Sequence, residues 1–277
     1  MGDIRALARK PPKFVYKYRP LANCRDWDRL LRIIETSKLY HPSPTKFNDP
    51  FDCKVGALGS VQPSFVRYLI AARRATPATH YDIWAKFCAP RIRLPEELQR
   101  VNAPLNEEEM SEIIRVLKSI QENVNASTVL CLCAVCNNIL MWSHYADSHR
   151  GVCLKFSLTN WPEMRSGLLP VVYSTRQIPI NLTKSDFDNA GLVRAVNLSK
   201  HRGWSYEKEW RALGMKSGEY DFPSAALVGI IFGCRTSSSD KLRVKNAIVE
   251  NGRHIKFYEA RERKGEFALD ICAADFI

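Results

Sequence analysis

The chain has 277 residues, of which 45% are hydrophobic, 25% are charged and 10% are aromatic. A chain of this length and composition can bury a large apolar core, whereas a disordered chain would contain fewer aliphatic and aromatic residues. The longest apolar runs cover residues 129–135 and 225–232, far short of the roughly 20 residues that span a bilayer. These properties argue against a membrane-spanning protein and predict a soluble globular one.

Lysine and arginine together number 41 against 29 acidic residues, which gives a formal net charge of +12. Such an excess fits an anionic partner, for example a nucleic acid, a nucleotide or an acidic protein. A generally basic surface explains it at least as well. The basic residues are concentrated within residues 1–20 and again within residues 253–264.

The nine cysteines indicate the compartment in which the protein works. An odd number is unusual for a secreted disulfide protein, and the first residues lack the hydrophobic segment of an export signal. We therefore expect reduced thiols and a cytoplasmic location.

Two strands and a helix are predicted near the start of the chain. Bulky and basic side chains alternate over residues 14–19, which is typical of a strand. The next apolar positions follow helical spacing, with Asp26 placed to cap the helix: Trp27, Leu30, Leu31 and Ile34. Residues 39–41 predict a second, short strand, and an irregular loop follows it.

Residues 64–125 are predicted to be mainly helical, although prolines interrupt residues 76–104. The last helix of this segment begins near Asn106, because Asn106 and Glu109 have the spacing of a capping box. The apolar face predicted for this helix consists of Met110, Ile113, Ile114, Leu117 and Val124.

The second half of the chain alternates strands and helices. Strands are predicted at residues 129–135, 152–156, 169–173, 206–213, 228–232 and 254–258. Helices are predicted at residues 139–149, 185–199 and 239–250. The elements together predict an α+β fold, with a mixed, mostly antiparallel sheet and a helical insert at about residues 60–125, in a single domain of residues 1–277.

Three closely spaced cysteines, Cys131, Cys133 and Cys136, raise the question of a metal site. In a strand Cys131 and Cys133 share one face, and no second pair of cysteines or histidines follows at zinc-finger spacing. A buried strand with small side chains explains these residues better. No metal is therefore predicted.

Residues 141–151 concentrate polar side chains in a short helix and its exit. His144 lies three and four positions before Asp147 and Ser148, close enough on a helix for either to orient an imidazole that acts as a general base. No activated serine or cysteine nucleophile accompanies it, so a hydrolase triad is not predicted. His144 and Tyr145 either face a ligand or form hydrogen bonds across a core.

The stretch 204–211 carries two acids and an arginine at alternate positions. On a strand, Glu207, Glu209 and Arg211 point to one face of the sheet. The pattern favours an exposed ladder of ion pairs. It also fits a site in which one carboxylate holds ribose hydroxyls or stabilises positive charge while the other activates a nucleophile.

The loop at residues 47–52 places three short polar side chains among two phenylalanines and a proline. Asn48 is typical of a residue that closes a turn through its own side chain. The two acids Asp49 and Asp52 predict a structured loop, and such loops often carry function.

Three motifs of the chain resemble a bacterial family of domains of unknown function, the one numbered two-nine-seven-one. The motifs are residues 16–20 with 38–52, residues 141–151, and the set Trp204, Glu207, Glu209 and Arg211. They occur in the family's order over most of the chain. Residues 131–134 depart from the family, which more often has an aromatic residue and a serine after its cysteine. The family implies no reaction.

The order of parts is also similar, more loosely, to that of NAD-using ADP-ribosyltransferases. The corresponding parts are Tyr18 and Arg19, then Ser43 or Thr45, then Glu207 and Glu209. This similarity implies that Arg19 binds the phosphates of NAD and that a serine such as Ser43 steadies the pocket. It further implies that Glu209 holds the ribose and stabilises the oxocarbenium-like state as nicotinamide leaves.

The leading hypothesis is a cytoplasmic bacterial protein of this family that uses NAD as a substrate for glycosyl or ADP-ribosyl transfer, in stress or phage defence. We expect its polar residues to converge in one pocket, because dense polar groups among core aromatics need partners or a ligand. These residues are Arg19, Asn48, Asp49, Asp52, His144, Tyr145, Glu209 and Arg211. The alternatives are a non-enzymatic protein that binds nucleic acid or another partner through a basic surface, and a purely structural network.

Overall fold

The computed structural model of the chain describes residues 9–75, 104–183, 191–214 and 218–274. These residues form an α+β fold with a mixed, mostly antiparallel sheet, as predicted. None of the helices in these ranges is both long enough and apolar enough to cross a membrane.

The strands of the described ranges are β1 (Phe14–Arg19), β2 (Lys38–His41), β3 (Leu58–Val61), β4 (Thr128–Cys133), β5 (Val152–Ser157), β6 (Leu168–Pro170), β7 (Val172–Ser174), β8 (Ile180–Leu182), β9 (Ser199–His201), β10 (Glu209–Gly214), β11 (Gly218–Asp221), β12 (Leu227–Phe232), β13 (Lys256–Glu262) and β14 (Leu269–Ala273).

The α-helices of the same ranges are α1 (Cys24–Thr36), α2 (Pro63–Ala75), α3 (Glu107–Ala126), α4 (Ile139–Tyr145), α5 (Pro162–Gly167), α6 (Gly191–Asn197) and α7 (Ser238–Glu250). Short 3₁₀ turns cover Pro44–Lys46, Arg202–Glu207 and Ser224–Ala226.

The described residues divide into two compact units. One, which we call the sheet unit, lies within residues 9–42, 129–171 and 203–274. The other, which we call the insert unit, lies within residues 43–128 and 172–202. The described ends of the predicted helical insert are α2 and α3, and residues 76–103 lie outside the described ranges. The single domain stays a prediction.

The sheet unit is built on eight strands in the order β14-β13-β12-β5-β1-β4-β10-β6. β12 and β13 run parallel, whereas β1 with β5, β5 with β12, β13 with β14, and β6 with β10 run antiparallel. β1 and β5 are paired over six residues, from Phe14 opposite Ser157 to Arg19 opposite Val152. β1 and β4 are paired at one position, Tyr16 opposite Cys133.

Alternate residues of these strands pack into two cores on opposite faces of the sheet, as the pleat of a strand requires. On one face α1 and α7 cover Val15, Leu132, Leu154 and Trp210 with their apolar sides. On the other face α4 covers a second cluster with its buried side chains Met141 and Trp142. That second cluster includes Tyr18, Cys133, Cys153, Ile231 and Ala260.

The residue that caps helix α1 lies three positions before the predicted one. The side chain of Asn23, and not that of Asp26, caps the helix by accepting a hydrogen bond from the backbone N–H of Asp26 at 3.1 Å. Asp26 therefore lies in the first turn, where a negative charge favours the helix dipole. The predicted apolar face is confirmed by the burial of Trp27, Leu30 and Ile34.

Helix α3 has the predicted capping box of Asn106 and Glu109, but its predicted apolar face was partly wrong. Met110 is 46% exposed and Ile114 is 53% exposed, while the glutamates at positions 109 and 112 are buried. Helix α2 supplies the reason, because Arg67 and Arg73 form ion pairs with Glu109 and Glu112, at 3.2 Å in the second pair. Buried carboxylates are tolerated when such partners are present.

Two predicted elements were wrong in extent. The helix predicted for residues 139–149 ends at Tyr145, because residues 147–149 take left-handed backbone conformations. The strand predicted for residues 169–173 is divided into β6, which pairs with β10, and β7, which pairs in parallel with β9. The described part of the helix predicted for residues 185–199 is α6, since residues 184–190 lie outside the described ranges.

Candidate functional site

The predicted acidic strand begins later than expected. Glu207 ends a 3₁₀ turn, Lys208 has a positive φ of 46°, and β10 starts only at Glu209. The three charged residues therefore do not share one strand face, although Glu209 and Arg211 do.

The prediction of an exposed ladder was also wrong. Glu207 is 4% exposed, Glu209 is 5% exposed and Arg211 is fully buried. Charged groups taken out of water need opposite charges or hydrogen bonds. Their burial within the sheet unit therefore makes them the core of the candidate site.

Glu209 and Arg211 form a bidentate ion pair. Arg211 Nε donates to Glu209 Oε1 at 2.9 Å, and Arg211 Nη2 donates to Glu209 Oε2 at 3.2 Å. Both oxygens of the carboxylate are thus engaged by one rigid fork. This pair fixes the start of β10.

Glu207 is held by helix α4. The hydroxyl of Tyr145, the last residue of α4, donates to Glu207 Oε1 at 2.6 Å. The backbone carbonyl of Glu207 accepts a hydrogen bond from the thiol of Cys133 at 2.7 Å. The second and third sequence motifs therefore meet at this carboxylate.

His144 is exposed and is oriented by a different residue from the one expected. Its Nδ1 lies 2.9 Å from the hydroxyl of Tyr206. Asp147, one of the two predicted partners, instead makes two hydrogen bonds to Arg150, at 2.8 and 3.1 Å. The reason is the left-handed turn after α4, which directs Asp147 away from the helical spacing on which the prediction rested.

One basic residue of β1, Lys17, lies near these carboxylates and was missed by the sequence analysis. Its Nζ donates to the carbonyl of Cys131 at 2.8 Å. Burial lowers the pKa of Lys17 to about 8 and Arg19 acts in the same direction, whereas the charges of Glu209 and Glu207 raise it. The alternation of β1 was the available signal, because Lys17 and Arg19 share the strand face of the buried Val15.

Arg19 lies close to the end of β1. Burial lowers its pKa to about 10, with a further contribution from Arg29 that Asp26 opposes. Its Nε is buried, and no hydrogen-bond acceptor for this atom is found among the described residues. A guanidinium in this state favours an added acceptor.

The other predicted residue of β1, Tyr18, packs into the core under α4. Its ring meets Trp142 edge to face with 5.1 Å between the ring centres, and its hydroxyl donates to the carbonyl of Val135 at 3.1 Å. Burial raises the pKa of Tyr18 strongly. Its role in ligand binding stays a prediction.

The predicted residues of the first loop belong to the insert unit. Ser43 caps the 3₁₀ turn and donates to the carbonyl of Asn125 at 2.7 Å. Asp49 Oδ1 accepts from the N–H of Phe51 at 2.9 Å, and Asp52 is buried with its carboxylate 3.6 Å from Lys200 Nζ. Asn48 is exposed. The predicted convergence of these residues with His144 and Glu209 stays a prediction.

The cysteines near the site are thiols. All eight cysteines of the described ranges are free, and burial raises the pKa of Cys131 well above its usual value. In the same ranges no group of three or more histidine, cysteine or acidic side chains is arranged to hold a metal ion.

His41 adds an imidazole whose titration can be measured. Its ring stacks on Tyr220, and neither ring nitrogen has a hydrogen-bond partner within the described part of the chain. Burial, aided by the charge of Lys17, lowers the pKa of His41 from 6.5 to about 4. Between pH 6.5 and pH 4, His41 is therefore protonated in the unfolded chain but neutral in the folded one. Proton binding favours the unfolded chain, so the free energy of unfolding decreases as the pH falls through this window.

Both the unsubstituted chain and His41→Leu should lose stability when the pH falls from 6.5 to 4. We expect the loss in His41→Leu to be smaller by about 2 kcal/mol, a figure that allows for solvent screening of the ring. Urea unfolding at both pH values measures the difference. The exposed Gln177, changed to leucine, is the control: its side chain carries no titratable group, so the pH dependence should stay as it is. Equal acid sensitivity with and without His41 would show that this imidazole is not the titrating group.

Comparison with known proteins bears on the second and third motifs. Residues 141–212 match the model of a family described as protein of unknown function (DUF2971). This segment contains α4, its exit and the residues from Glu207 to Arg211, and it supports the resemblance drawn from those motifs. Curated proteins and solved structures give no match. The looser similarity to ADP-ribosyltransferases therefore receives no support, and over residues 141–212 the chain is similar to a family to which no reaction is assigned.

Proposed function

We propose that the protein is an enzyme that cleaves the glycosidic bond of a nucleotide, with NAD as the substrate to test first. One observation carries the proposal. Within the sheet unit, the buried cation Lys17 lies near enough to the buried carboxylates Glu207 and Glu209 for their charges to raise its pKa, and Arg19 follows two positions later on the same strand. NAD presents matching charges, namely an anionic diphosphate and a ribose carbon that becomes positive as nicotinamide leaves.

The cations would bind the diphosphate. Arg19 has a buried N–H without an acceptor among the described residues, and diphosphate oxygens are strong acceptors. Lys17 adds a second positive charge on the same strand face. Charge-assisted hydrogen bonds of this kind orient a nucleotide as well as hold it.

The two carboxylates would have different tasks. The Glu209 carboxylate is engaged on both oxygens by Arg211, so we assign it a positioning role. Glu207, which accepts a hydrogen bond from Tyr145, is the better candidate for the group that stabilises the oxocarbenium-like carbon. His144 and Tyr206 lie toward the surface, where the departing group or the acceptor would enter.

The reaction balances without a further reagent. The bond between the ribose carbon and the nicotinamide nitrogen breaks, and its electron pair neutralises the positive pyridinium ring. A hydroxyl of water or of an acceptor forms the new carbon–oxygen bond, and Glu207 takes the proton that this hydroxyl loses.

The expected result is that the unsubstituted protein, given cell extract as a source of acceptors, releases nicotinamide from NAD. Glu207→Gln should slow the release by about 100-fold or more, because an isosteric amide neither stabilises the positive carbon nor accepts the proton. Glu122→Gln, at an exposed position of α3, is the control and should leave the rate unchanged. Chromatography of the released nicotinamide gives the rate.

Absence of nicotinamide release by the unsubstituted protein would overturn the proposal. An unchanged rate in a folded Glu207→Gln variant would remove Glu207 from it. Glu209→Gln, measured beside it, separates the two acids, since a positioning residue should alter stability as well as rate.

The cellular setting forms part of the proposal. Free thiols at all eight described cysteines are consistent with the reducing cytoplasm of a bacterium. An NAD-consuming enzyme would act there in stress or in defence against phage.

A second function, binding of single-stranded nucleic acid without catalysis, is favoured by a different observation. Lys155 Nζ lies 4.4 Å from the ring centre of Phe14 and 4.8 Å from that of Tyr258. Cations interleaved with aromatic rings on strands are typical of surfaces on which bases stack. Such binding should weaken steeply as salt rises, whereas turnover of NAD in a pocket should respond little.

A further inference from the structure

A polar cavity lies in the sheet unit, away from the residues assigned above. Its volume is about 700 Å³, within the range of small-molecule sites. The ends of α1 and α7 and the starts of β12 and β13 contribute to its walls. Its lining includes Glu35, Ser37, Ser224, Arg253, His254 and Lys256, and it contains no residue of the candidate site.

The basic wall of the cavity comes from a segment of only four residues. Arg253, His254 and Lys256 belong to the second basic cluster of the sequence, for which the proposed function has no use. Glu35 is the one carboxylate among the described residues that line the cavity. The cavity therefore has an excess of positive charge that faces a single acid.

Arg253 is the best-defined member of this wall. Its Nη2 donates to the hydroxyl of Ser37, which follows α1 in a left-handed conformation. Its Nη1 is buried, and the described residues provide no hydrogen-bond acceptor for it. Burial also lowers the pKa of Arg253. A buried donor of this kind costs free energy that an acceptor would recover.

Taken together, the charges select a ligand with two different ends. An anionic end suits Arg253 and Lys256, because guanidinium and ammonium groups are the usual partners of phosphate. A hydroxyl-bearing end suits Glu35, because an ionised carboxylate only accepts hydrogen bonds. Free phosphate would bind Arg253 and Lys256 but would leave Glu35 without a hydrogen-bond donor.

We propose that this cavity binds a sugar phosphate, alone or as part of a mononucleotide, with the phosphate at Arg253 and Lys256 and a sugar hydroxyl at Glu35. The site is separate from the proposed catalytic one, and its occupation does not depend on turnover of NAD. A ligand here would act on the protein from a distance or belong to a second activity.

Titration calorimetry with ribose 5-phosphate and with adenosine 5′-monophosphate tests the proposal, with free ribose as the uncharged comparison. We expect both phosphates to bind and ribose to give no heat. Lys256→Gln should weaken binding about tenfold, the effect of losing one charge-assisted contact. Lys264→Gln removes an equal charge from the same basic stretch, outside the cavity, and should change the affinity less than twofold.

Two more variants keep the outcome interpretable. Arg253→Gln also breaks the contact with Ser37, so its effect on binding counts only where its unfolding transition is unchanged. Ser224→Trp fills the cavity from an exposed position without altering charge and should abolish binding in a folded protein. Failure of either phosphate to bind the unsubstituted protein would overturn the proposal, as would equal losses in Lys256→Gln and Lys264→Gln.

Discussion

Replacing Arg211 by methionine is expected to lower the free energy of unfolding by about 3–5 kcal/mol, one of the two largest effects that we predict. Arg211 is fully buried, and its guanidinium contacts both oxygens of the buried Glu209. Methionine fills much of the same volume but removes the guanidinium that holds both oxygens of this carboxylate. Urea unfolding at pH 7 measures the loss.

A double variant separates the loss of the pair from the loss of packing. Glu209→Gln together with Arg211→Met removes both charges, and most of the stability should return, because a buried pair adds little over neutral groups of similar shape. Arg150→Met is the matched control. It breaks the exposed pair with Asp147 and should cost less than about 1 kcal/mol. A double variant no more stable than Arg211→Met would contradict the electrostatic explanation.

Gly151→Ala is expected to cost about 3 kcal/mol or more, because no space exists for a side chain at this position. A Cβ atom built on Gly151 would lie 2.2 Å from the backbone carbonyl oxygen of Arg19. The strand β1 cannot retreat, since it pairs with β5 over six residues. Thermal and urea unfolding of the variant measure the effect.

Gly167→Ala is the control for this prediction. A Cβ atom at Gly167, the last residue of α5, would meet no atom within 4 Å. Alanine there should be neutral or slightly stabilising, since it restricts the unfolded chain. If the two variants were equally stable, close backbone packing would not be the reason for glycine at position 151.

Hydrophobic periodicity was sufficient to predict many of the helices and strands. It did not predict which strands exchange backbone hydrogen bonds. The apolar spacing of Trp27, Leu30 and Ile34 was sufficient to predict α1. The single apolar run that became β6 and β7 carried no sign of its division. The N–H of Val171 donates to the carbonyl of Glu209, and that of Val172 donates to the carbonyl of Leu198. Such changes of partner depend on distant strands, which a local pattern does not encode.

The site was predicted in its residue types more than in its contacts. Glu207, Glu209 and Tyr145 were identified from the density of polar groups in two motifs. The shared strand face was wrong because the left-handed Lys208 separates Glu207 from the strand. The exposed ladder was wrong because Glu207, Glu209 and Arg211 are all buried. The pairing of Tyr145 with Glu207 spans 62 positions of sequence and had no local signal.

The exit of α4 has a consequence for the order in which the protein folds. Asp147, Ser148 and His149 have φ angles of 49°, 49° and 70°, a conformation that costs free energy at each of these non-glycine residues. The carbonyl of His149 accepts from the N–H of Arg235, and the carbonyl of Gly151 accepts from the N–H of Gly233. These donors are made some 80 residues later in the chain. Hydrogen bonds within residues 142–151 hold the turn locally, whereas its two long-range bonds can form only after residues 233–235 have left the ribosome. We therefore expect the turn to reach its full stability late, together with the pairing of β5 and β12.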